Sequence, residues 1–309
     1  VCGDFAGVAS NLAFLIPDLE YTPTLVKLVL RRNDISFAEV AQNPNQLAVA
    51  NAVRGQGLGS ILNDALLSQS VNGARAAFNA LSGEIYSSVG TSVIAQGHAS
   101  RRTLIEAGKS AADGLAIWGT GTIGSSAYDS NARLGHEKYV AERSGYFTGF
   151  SFAAKGFHVG VAAGQLGSDG RVRSRISGSA VKTDYVGGDI GYTTDDGLNV
   201  QAGVLFGWHD IETSRQVIFT GFNEANRSKQ SGRTEQYFAE LGYAFIDSDA
   251  LKLESFFGYS NIRSKTGAAL EVGGVAALSV AQSTREVNYL DLGLRAQSHH
   301  SVHGATLSP

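Results

Sequence analysis

The sequence contains no methionine, a single cysteine, few prolines and no long apolar run. Its 309 residues include no Met, 1 Cys and 4 Pro. One cysteine excludes both a disulfide framework and a cysteine-based zinc site. Because no stretch of 18 apolar residues occurs, no transmembrane helix is predicted. A chain that starts at Val1 and lacks Met throughout is expected to be a piece of a longer or processed protein.

An excess of charge of either sign is also missing. The formal net charge is −3, whereas a nucleic-acid-binding protein should show a clustered basic excess, so no nucleic-acid partner is predicted. What the chain has in abundance is Gly, at 38 residues, together with 11 Tyr and 15 Phe. The Gly share lies well above the usual value of roughly 7%. This combination favours an all-β structure with closely packed or strongly twisted strands.

The chain divides into three segments of different texture, 1–37, 38–112 and 113–309. The first contains a short apolar strand over 25–30 followed by a polar turn. It is too small to bury its own surface, so we expect it to be the end of a larger upstream structure. The second segment has helical spacing, and the third alternates with a period of two.

The second segment has a plausible helix entry at Asn43-Pro44-Asn45-Gln46 and helical spacing through residue 66 that glycines at 55, 57 and 59 interrupt. From about Ala74 it predicts one long helix. Apolar residues recur at steps of three and four through Phe78, Leu81, Ile85 and Val89, which is typical of a single helical stripe. Ala, Ser and Gly fill most other positions, so the helix is slim and weakly charged. A helix over residues 72–110 would be roughly 50 Å long, but it is too polar to cross a bilayer in contact with lipid.

The third segment predicts eight strands that are longer than the usual mode of about 5–6 residues. Turn residues such as Lys155-Gly156 and Asp195-Asp196-Gly197 separate several of them, which favours hairpins. The predicted strands cover residues 114–124, 143–155, 157–170, 178–194, 197–214, 231–247, 251–265 and 277–297.

The two faces of these strands differ in character. One face is apolar and aromatic and the other mixes Gly with polar and charged residues, as in a transmembrane β-barrel, which we favour over a soluble sandwich. On this pattern the lipid-facing residues include Leu290, Leu292 and Leu294. Glu240 and Arg295 fall on the lumen-facing side. Trp118 and Trp208 are predicted aromatics of the membrane interfaces.

The helix and the strand number set a further constraint. A helix is about 10–12 Å across, whereas a closed eight-stranded barrel is filled by its own side chains. If the helix lies inside the barrel, eight strands are too few. We therefore expect the barrel to be incomplete at its C-terminal end, as the missing Met suggests for the N-terminal end.

Several short motifs in a fixed order resemble those of one known family. They are Leu28-Val29-Leu30 with Arg32-Asn33-Asp34, Pro44-Asn45-Gln46 with Ala48-Val49-Ala50, Leu81-Ser82-Gly83-Glu84, Trp118, Gly242-Tyr243, and Leu292-Gly293-Leu294-Arg295. Over nearly its whole length the chain resembles bacterial autotransporters of type V secretion, from the end of the passenger into the translocator.

The resemblance implies a fold, a function and partners. The fold is a 12-stranded antiparallel barrel, about eight strands of which are present, with a helix through its pore that carries Phe78, Leu81, Glu84 and Ile85. Residues 1–37 would be the end of a β-helix passenger, 38–112 the linker with the pore helix, and 113–309 the incomplete barrel. The family's terminal aromatic strand is absent. The implied function is passenger export to the cell surface from the outer membrane. The implied partners are outer-membrane lipid, the barrel-assembly machinery, periplasmic chaperones and the passenger.

Two other functions are compatible with parts of the pattern. One is a small eight-stranded outer-membrane protein, structural or adhesive, with residues 1–112 as a plug or periplasmic element. The other is an enzyme, which is disfavoured because no Ser/His/Asp arrangement occurs at a recognisable elbow. Residues 119–124 match a dinucleotide fingerprint, but a loop rather than a helix follows them. No catalytic residue, cofactor or metal is predicted.

Overall fold

The computed structural model describes residues 3, 5–110, 113–248, 251–298, 300–302 and 305–307. It begins with a hairpin in which β1 (Leu15–Tyr21) pairs antiparallel with β2 (Val26–Arg32). Rungs of a β-helix pair in parallel, so this antiparallel hairpin is not itself a rung, and the assignment of residues 1–37 to the end of a passenger stays a prediction. Only residues 22–25 join the two strands, and so short a connection permits antiparallel pairing alone.

Four helices follow the hairpin and a 3-10 turn at Phe37–Val40. Each of the first three begins at a side chain that accepts a hydrogen bond from a backbone N–H of the first turn, namely Asn43, Ser60 and Ser70. The helices are α1 (Pro44–Gly55), α2 (Ile61–Leu67), α3 (Val71–Leu81) and α4 (Glu84–Lys109). None of the described helices combines the length and the hydropathy needed to cross a membrane.

The single long helix predicted over 72–110 is two helices, and that prediction is wrong. Ser82 has extended backbone angles (φ −67°, ψ 144°) and ends α3. Its hydroxyl accepts a hydrogen bond from the N–H of Glu84 at 3.3 Å, at the start of α4. The guanidinium of Arg215 donates to the carbonyls of Leu81 (3.3 Å) and Ser82 (3.2 Å), so the end of α3 is satisfied without a continuing helix.

The long strands between residues 114 and 298 form one eight-stranded antiparallel sheet, and all eight predicted strands are present in it. Consecutive strands pair with each other, in the order β3 to β9 followed by β12. The strands are β3 (Gly114–Tyr128), β4 (Tyr139–Ala154), β5 (Phe157–Val172), β6 (Ser177–Thr193), β7 (Leu198–Phe219), β8 (Phe222–Asp247), β9 (Leu251–Thr266) and β12 (Ser283–Ser298). Two-residue strands β10 (Ala269–Leu270) and β11 (Ser279–Val280) and the short pair β13 (His300–Val302) and β14 (Ala305–Leu307) complete the described elements.

The sheet wraps around α4. The helix packs against every strand from β4 to β9, and its Arg101 reaches Asp291 of β12 at 2.6 Å. Two apolar clusters hold α4 against the inner face of the sheet, which we call the wall. Near one end of α4, Ile85, Val89 and Val93 pack against the wall. Near the other end, Leu104 and Ile105 do so. The wall residues of these clusters are Tyr139, Ala141, Val172, Val181 and Ile211, and Phe147, Ala162, Leu166, Tyr185, Leu205 and Phe238.

The elements before α4 cover one end of the wrapped sheet, and we call residues 13–81 the cap. A third apolar cluster joins the cap to Val217 and Phe219 at the tip of the β7–β8 hairpin. Phe78 and Leu81 belong to this cluster and lie on α3, not on α4. Their assignment to the pore helix is therefore wrong, because the chain breaks at Ser82 before α4 enters the sheet.

The two ends of the sheet differ in their connections. At the end opposite the cap, the strands are joined by residues 155–156, 194–197 and 248–250. At the cap end, the connections include residues 129–138 and 267–282, and β7 and β8 extend furthest. The cap contacts these longer connections directly, through a hydrogen bond from Asn45 Nδ2 to the carbonyl of Gly135 at 3.1 Å.

Candidate functional site

The space between α4 and the sheet is lined by polar and charged side chains rather than by a continuous apolar core. The inner face of the strands buries carboxylates, imidazoles, amides and hydroxyls, and the facing side of α4 contributes Gln96, Ser100 and Arg101. The buried polar residues of the strands include His158, Thr183, Asp189, Asn199, Gln201, His209, Thr234, Gln236, Glu240, Glu254 and Ser260. Buried polar groups are costly unless they are paired, so their arrangement indicates how α4 is held.

The C-terminal end of α4 is fixed by a four-residue ion-pair network, which we call the lower network. Lys109 Nζ lies 2.9 Å from Glu240 Oε1 and also contacts Glu254 Oε1. Arg295 Nη1 lies 2.6 Å from Glu254 Oε1 and 3.2 Å from Glu240 Oε1. Two cations and two nearly buried carboxylates thus join the helix to β8, β9 and β12.

The alternation of the strands predicts Glu240 and Arg295 on this inner side, but it does not predict their contacts with Glu254 and Lys109. Glu254 has a usable signal, because it alternates with the outward Leu253 and Ser255 in the same period of two. Lys109 has only a general one, as a basic residue in the last turn of a helix. Nothing in a linear pattern shows that these four residues meet.

A second charged group lies further up the helix. Arg101 Nη2 lies 2.6 Å from Asp291 Oδ2, and the Arg101 side chain is 3% exposed. His98 stands beside the same carboxylate, with Nε2 at 3.7 Å from Asp291 Oδ1. Its ring also packs against that of Tyr289, with 4.4 Å between ring centroids and an interplanar angle of 37°. These contacts join the middle of α4 to β12.

At Gly108, buried side chains of the sheet pack directly against the α4 backbone. Asp189 Oδ2 lies 2.8 Å from His158 Nε2 and accepts a hydrogen bond from Gln201 Nε2 at 2.8 Å. A Cβ on Gly108 would lie 2.6 Å from both Asp189 Oδ2 and His158 Nε2, and closer still to Gln201 Nε2. The wall is thus built against a helix backbone without a side chain.

Gly108→Ala is expected to lower the free energy of unfolding by about 1–3 kcal/mol, because the added methyl group displaces a hydrogen-bonded buried triad. Gly97→Ala is the matched control on the same helix. Its Cβ would meet Thr234, Gln236 and Ile262 only at 3.6–3.9 Å, so it should stabilise by about 0.5–1 kcal/mol through helix propensity alone. Urea unfolding of the two variants in lipid vesicles should give shifts of opposite sign, and shifts of equal sign would contradict the close approach.

Comparison with known proteins identifies the family. The family profile described as Autotransporter beta-domain matches residues 117–309, which is more than half of the chain. The chain belongs to the autotransporter β-domain family.

Two curated proteins are similar to parts of this chain. An extracellular serine protease from Serratia marcescens is 30% identical over 162 residues, 49% of this chain and 15% of that protein. A second match, to a protein of the same description and organism, is 32% identical over 101 residues, 33% of this chain and 10% of that protein. The chain therefore spans only a small part of the length of these relatives.

The fold comparison agrees with the family. The translocator domain of the autotransporter NalP from Neisseria meningitidis matches with a TM-score of 0.57 and 15% identity, over 68% of this chain and 71% of that one. At this identity the likeness shows the fold alone, which is that of an autotransporter β-barrel. The matched residues, 117–309, are thus an autotransporter β-domain with the fold of a translocator domain.

The outward face of the β-domain has the pattern that an outer-membrane barrel needs. Leu290, Leu292 and Leu294 of β12 are 72%, 81% and 76% exposed. Along β7 the outward residues are apolar from Leu198 to Trp208 and then become Asp210 and Glu212. The apolar stretch is about 33 Å long and, at a tilt of about 45°, covers roughly the ~25 Å apolar band of such barrels. Trp208, 54% exposed, lies at the upper edge of this band.

The interface assignment of Trp118 is wrong. Trp118 pairs with Gly149 of β4, and its ring lies so close over that residue that a Cβ there would be 2.6 Å from Trp118 Cζ2. The ring packs on the inner cluster that contains Phe147. Ile117, its neighbour, is the outward residue, at 72% exposed. The alternation on β3 therefore has the opposite phase to the one assumed for Trp118.

A second ion-pair group, the upper network, closes the cap end of the β-domain. Arg215 and Glu271 form a bidentate pair with Nε–Oε1 and Nη2–Oε2 distances of 2.7 Å, and their side chains are 1% and 0% exposed. Burial alone would raise the pKa of the Glu271 carboxyl, but the hydrogen bonds and charge of Arg215 outweigh it and hold this pKa below its usual range. The upper network also includes Glu84, the first residue of α4, whose Oε2 lies 3.0 Å from Arg175 Nε.

Proposed function

We propose that this β-domain anchors an N-terminal passenger at the cell surface while α4 stays in the pore as a plug. The observation that carries the proposal is the fixation of α4 at both ends, by the lower network at Lys109 and the upper network at Glu84. In this reading residues 1–37 are the C-terminal end of the passenger, 38–112 the linker with the pore helix, and 113–309 the barrel.

The orientation follows from the connections. Outer-membrane barrels have short periplasmic turns and longer extracellular loops. The cap lies at the end with the longer connections, and the lower network lies at the end with the short ones. The cap is then outside the cell, and the chain enters the pore from the outside and reaches β3 at the periplasmic end.

We further propose that the chain works without catalysis. The ion pairs that α4 forms with the strands and their connections, in the lower and upper networks and between Arg101 and Asp291, serve anchoring. The proposed partners are the lipid around the outward band, the barrel-assembly machinery and periplasmic chaperones that deliver the chain, and its own passenger.

An epitope tag before Phe5 tests the orientation in a Gram-negative host. On intact cells the tag is expected to bind antibody, while a second tag in the turn at Asp195–Gly197 should become accessible only after the outer membrane is permeabilised. The reverse pattern would favour the alternative function, a small outer-membrane barrel whose N-terminal segment is a periplasmic plug.

Lys109→Ala tests the plug. Loss of Lys109 leaves two nearly buried carboxylates with Arg295 as their remaining cation in the lower network, so the end of α4 should detach more often. In planar bilayers we expect at least tenfold more frequent open events, equivalent to about 1.4 kcal/mol. Glu106→Ala removes an exposed charge one turn earlier and is the control. Equal conductance of Lys109→Ala and Glu106→Ala would argue against α4 as a plug.

A further inference from the structure

A groove on the outer surface of the β-domain plays no part in the pore. It has a volume of about 880 Å³ and crosses β5, β6, β7 and β8 beyond the apolar band. Its charged lining residues are Asp169, Arg171, Glu212, Arg227 and Lys229, and Leu270 and Val272 close one side.

Strand register shows how the groove is built. Arg171 pairs with Gly178, Gly178 with Ser214, Ser214 with Arg227, and Arg227 bridges to Val272. These residues therefore form one row across the sheet, with an arginine on either side of a glycine and a serine. The small residues form the floor, and the two arginines stand about 14 Å apart at the usual strand spacing.

Within the described part of the chain, neither of the two arginines is held in an ion pair, and the carboxylate of Asp169 shares the groove with them. Among the residues that the structure describes, no carboxylate lies within salt-bridge distance of Arg171 or Arg227. Lys229 differs, because its Nζ lies 2.5 Å from Glu212 Oε1. An unpaired guanidinium is suited to bidentate binding of phosphate or carboxylate. The pair is thus ready for a ligand with two anionic groups and a polar body between them, which Ser214 can hydrogen-bond.

The height of the groove selects the kind of ligand. Ser214 lies six residues beyond Trp208 on β7, which is about 20 Å along the strand. At a tilt of roughly 45°, Ser214 is therefore roughly 14 Å above the edge of the apolar band at Trp208. The groove continues directly from the outward band on the same strands. A molecule whose acyl chains cover that band would place its headgroup at this level.

We propose that the groove binds the phosphorylated saccharide headgroup of an outer-leaflet glycolipid, with Arg171 and Arg227 each holding an anionic group. The proposal rests on the outward orientation of the cap end under the proposed function. It adds a lipid-specific contact on the outer wall, distinct from general solvation of the apolar band.

Binding of lipopolysaccharide to the purified chain in neutral detergent tests this proposal. The variant Arg171→Gln/Arg227→Gln removes both cations, and Ser214→Phe fills the floor without a change in charge. Arg54→Gln/Arg133→Gln removes two exposed arginines elsewhere and is the matched control. A thermal unfolding curve for each variant, required to match that of the parent chain, separates loss of the groove from loss of the fold.

We expect both groove variants to bind at least tenfold more weakly and the control pair to stay within twofold of the parent. Lipopolysaccharide without its phosphates should bind the parent as weakly as the intact lipid binds the groove variants. Equal losses in the groove and control pairs, or parent binding of phosphatidylglycerol as tight as that of lipopolysaccharide, would overturn the proposal. Because binding is measured in detergent, absence of binding would not contradict passenger export. A tag found in the periplasm would contradict the proposed orientation and would not change the measured binding.

Discussion

Replacing Arg215 with Ala is expected to lower the free energy of unfolding by about 3–5 kcal/mol, because it leaves a buried carboxylate without its partner. Arg215 also donates to the carbonyl of Ala276 at 3.0 Å and to those at the end of α3. The substitution should therefore loosen the segment 267–282 and the junction of α3 with α4 together. Urea unfolding in vesicles, with protease digestion of segment 267–282, measures both effects.

The double variant Arg215→Met/Glu271→Leu is the control for this prediction. A buried ion pair replaced by apolar residues of similar size is often neutral or stabilising, so the double variant should recover most of the stability that Arg215→Ala loses. If the double variant were as unstable as Arg215→Ala, the cost would come from the lost hydrogen bonds to α3 rather than from an unpaired Glu271.

Leu292→Arg is expected to cost about 2–4 kcal/mol of folding free energy in lipid, because the guanidinium would lie near the middle of the apolar band. Leu292 is 81% exposed on the outward face of β12, so little packing inside the protein is lost. Equilibrium unfolding in vesicles measures this cost.

Thr284→Arg on the same strand is the matched control. Thr284 is exposed and pairs with Lys265, beyond the apolar residues of β12, where an added arginine should cost about 0–1 kcal/mol. Similar losses for Leu292→Arg and Thr284→Arg would mean that the outward face of β12 does not lie against lipid.

The sheet could be predicted from the sequence because its signal is local. A period of two over long stretches specifies strand, face and approximate length at once, and the eight strands follow it. Trp118 shows the limit of this signal. Either Trp118 or the adjacent Ile117 could be taken as the outward residue of β3. An aromatic residue near a strand end is compatible both with a position at the membrane interface and with one in the inner cluster.

The break between α3 and α4 and the partners of the ion pairs could not be predicted in this way. The stripe from Phe78 through Leu81 to Ile85 continues across the break with helical steps, so periodicity alone favours one helix. The break depends on Arg215, more than 130 residues further along the chain. The meeting of Lys109 with Glu240 and Glu254 likewise depends on how the sheet curves around α4.

The contacts of the cap with the rim of the sheet also determine where a mechanical load would go. Asn45 donates to the carbonyl of Gly135 and Gln69 Nε2 donates to the carbonyl of Thr220 at 2.8 Å, both on connections between strands. A pull on the hairpin would therefore reach the wall through these bonds and the cluster around Phe219 before it reached α4. A force on a domain attached N-terminal to the hairpin would therefore be carried by the rim of the sheet. The helix α4 would bear that force only after the contacts between the cap and the rim had broken.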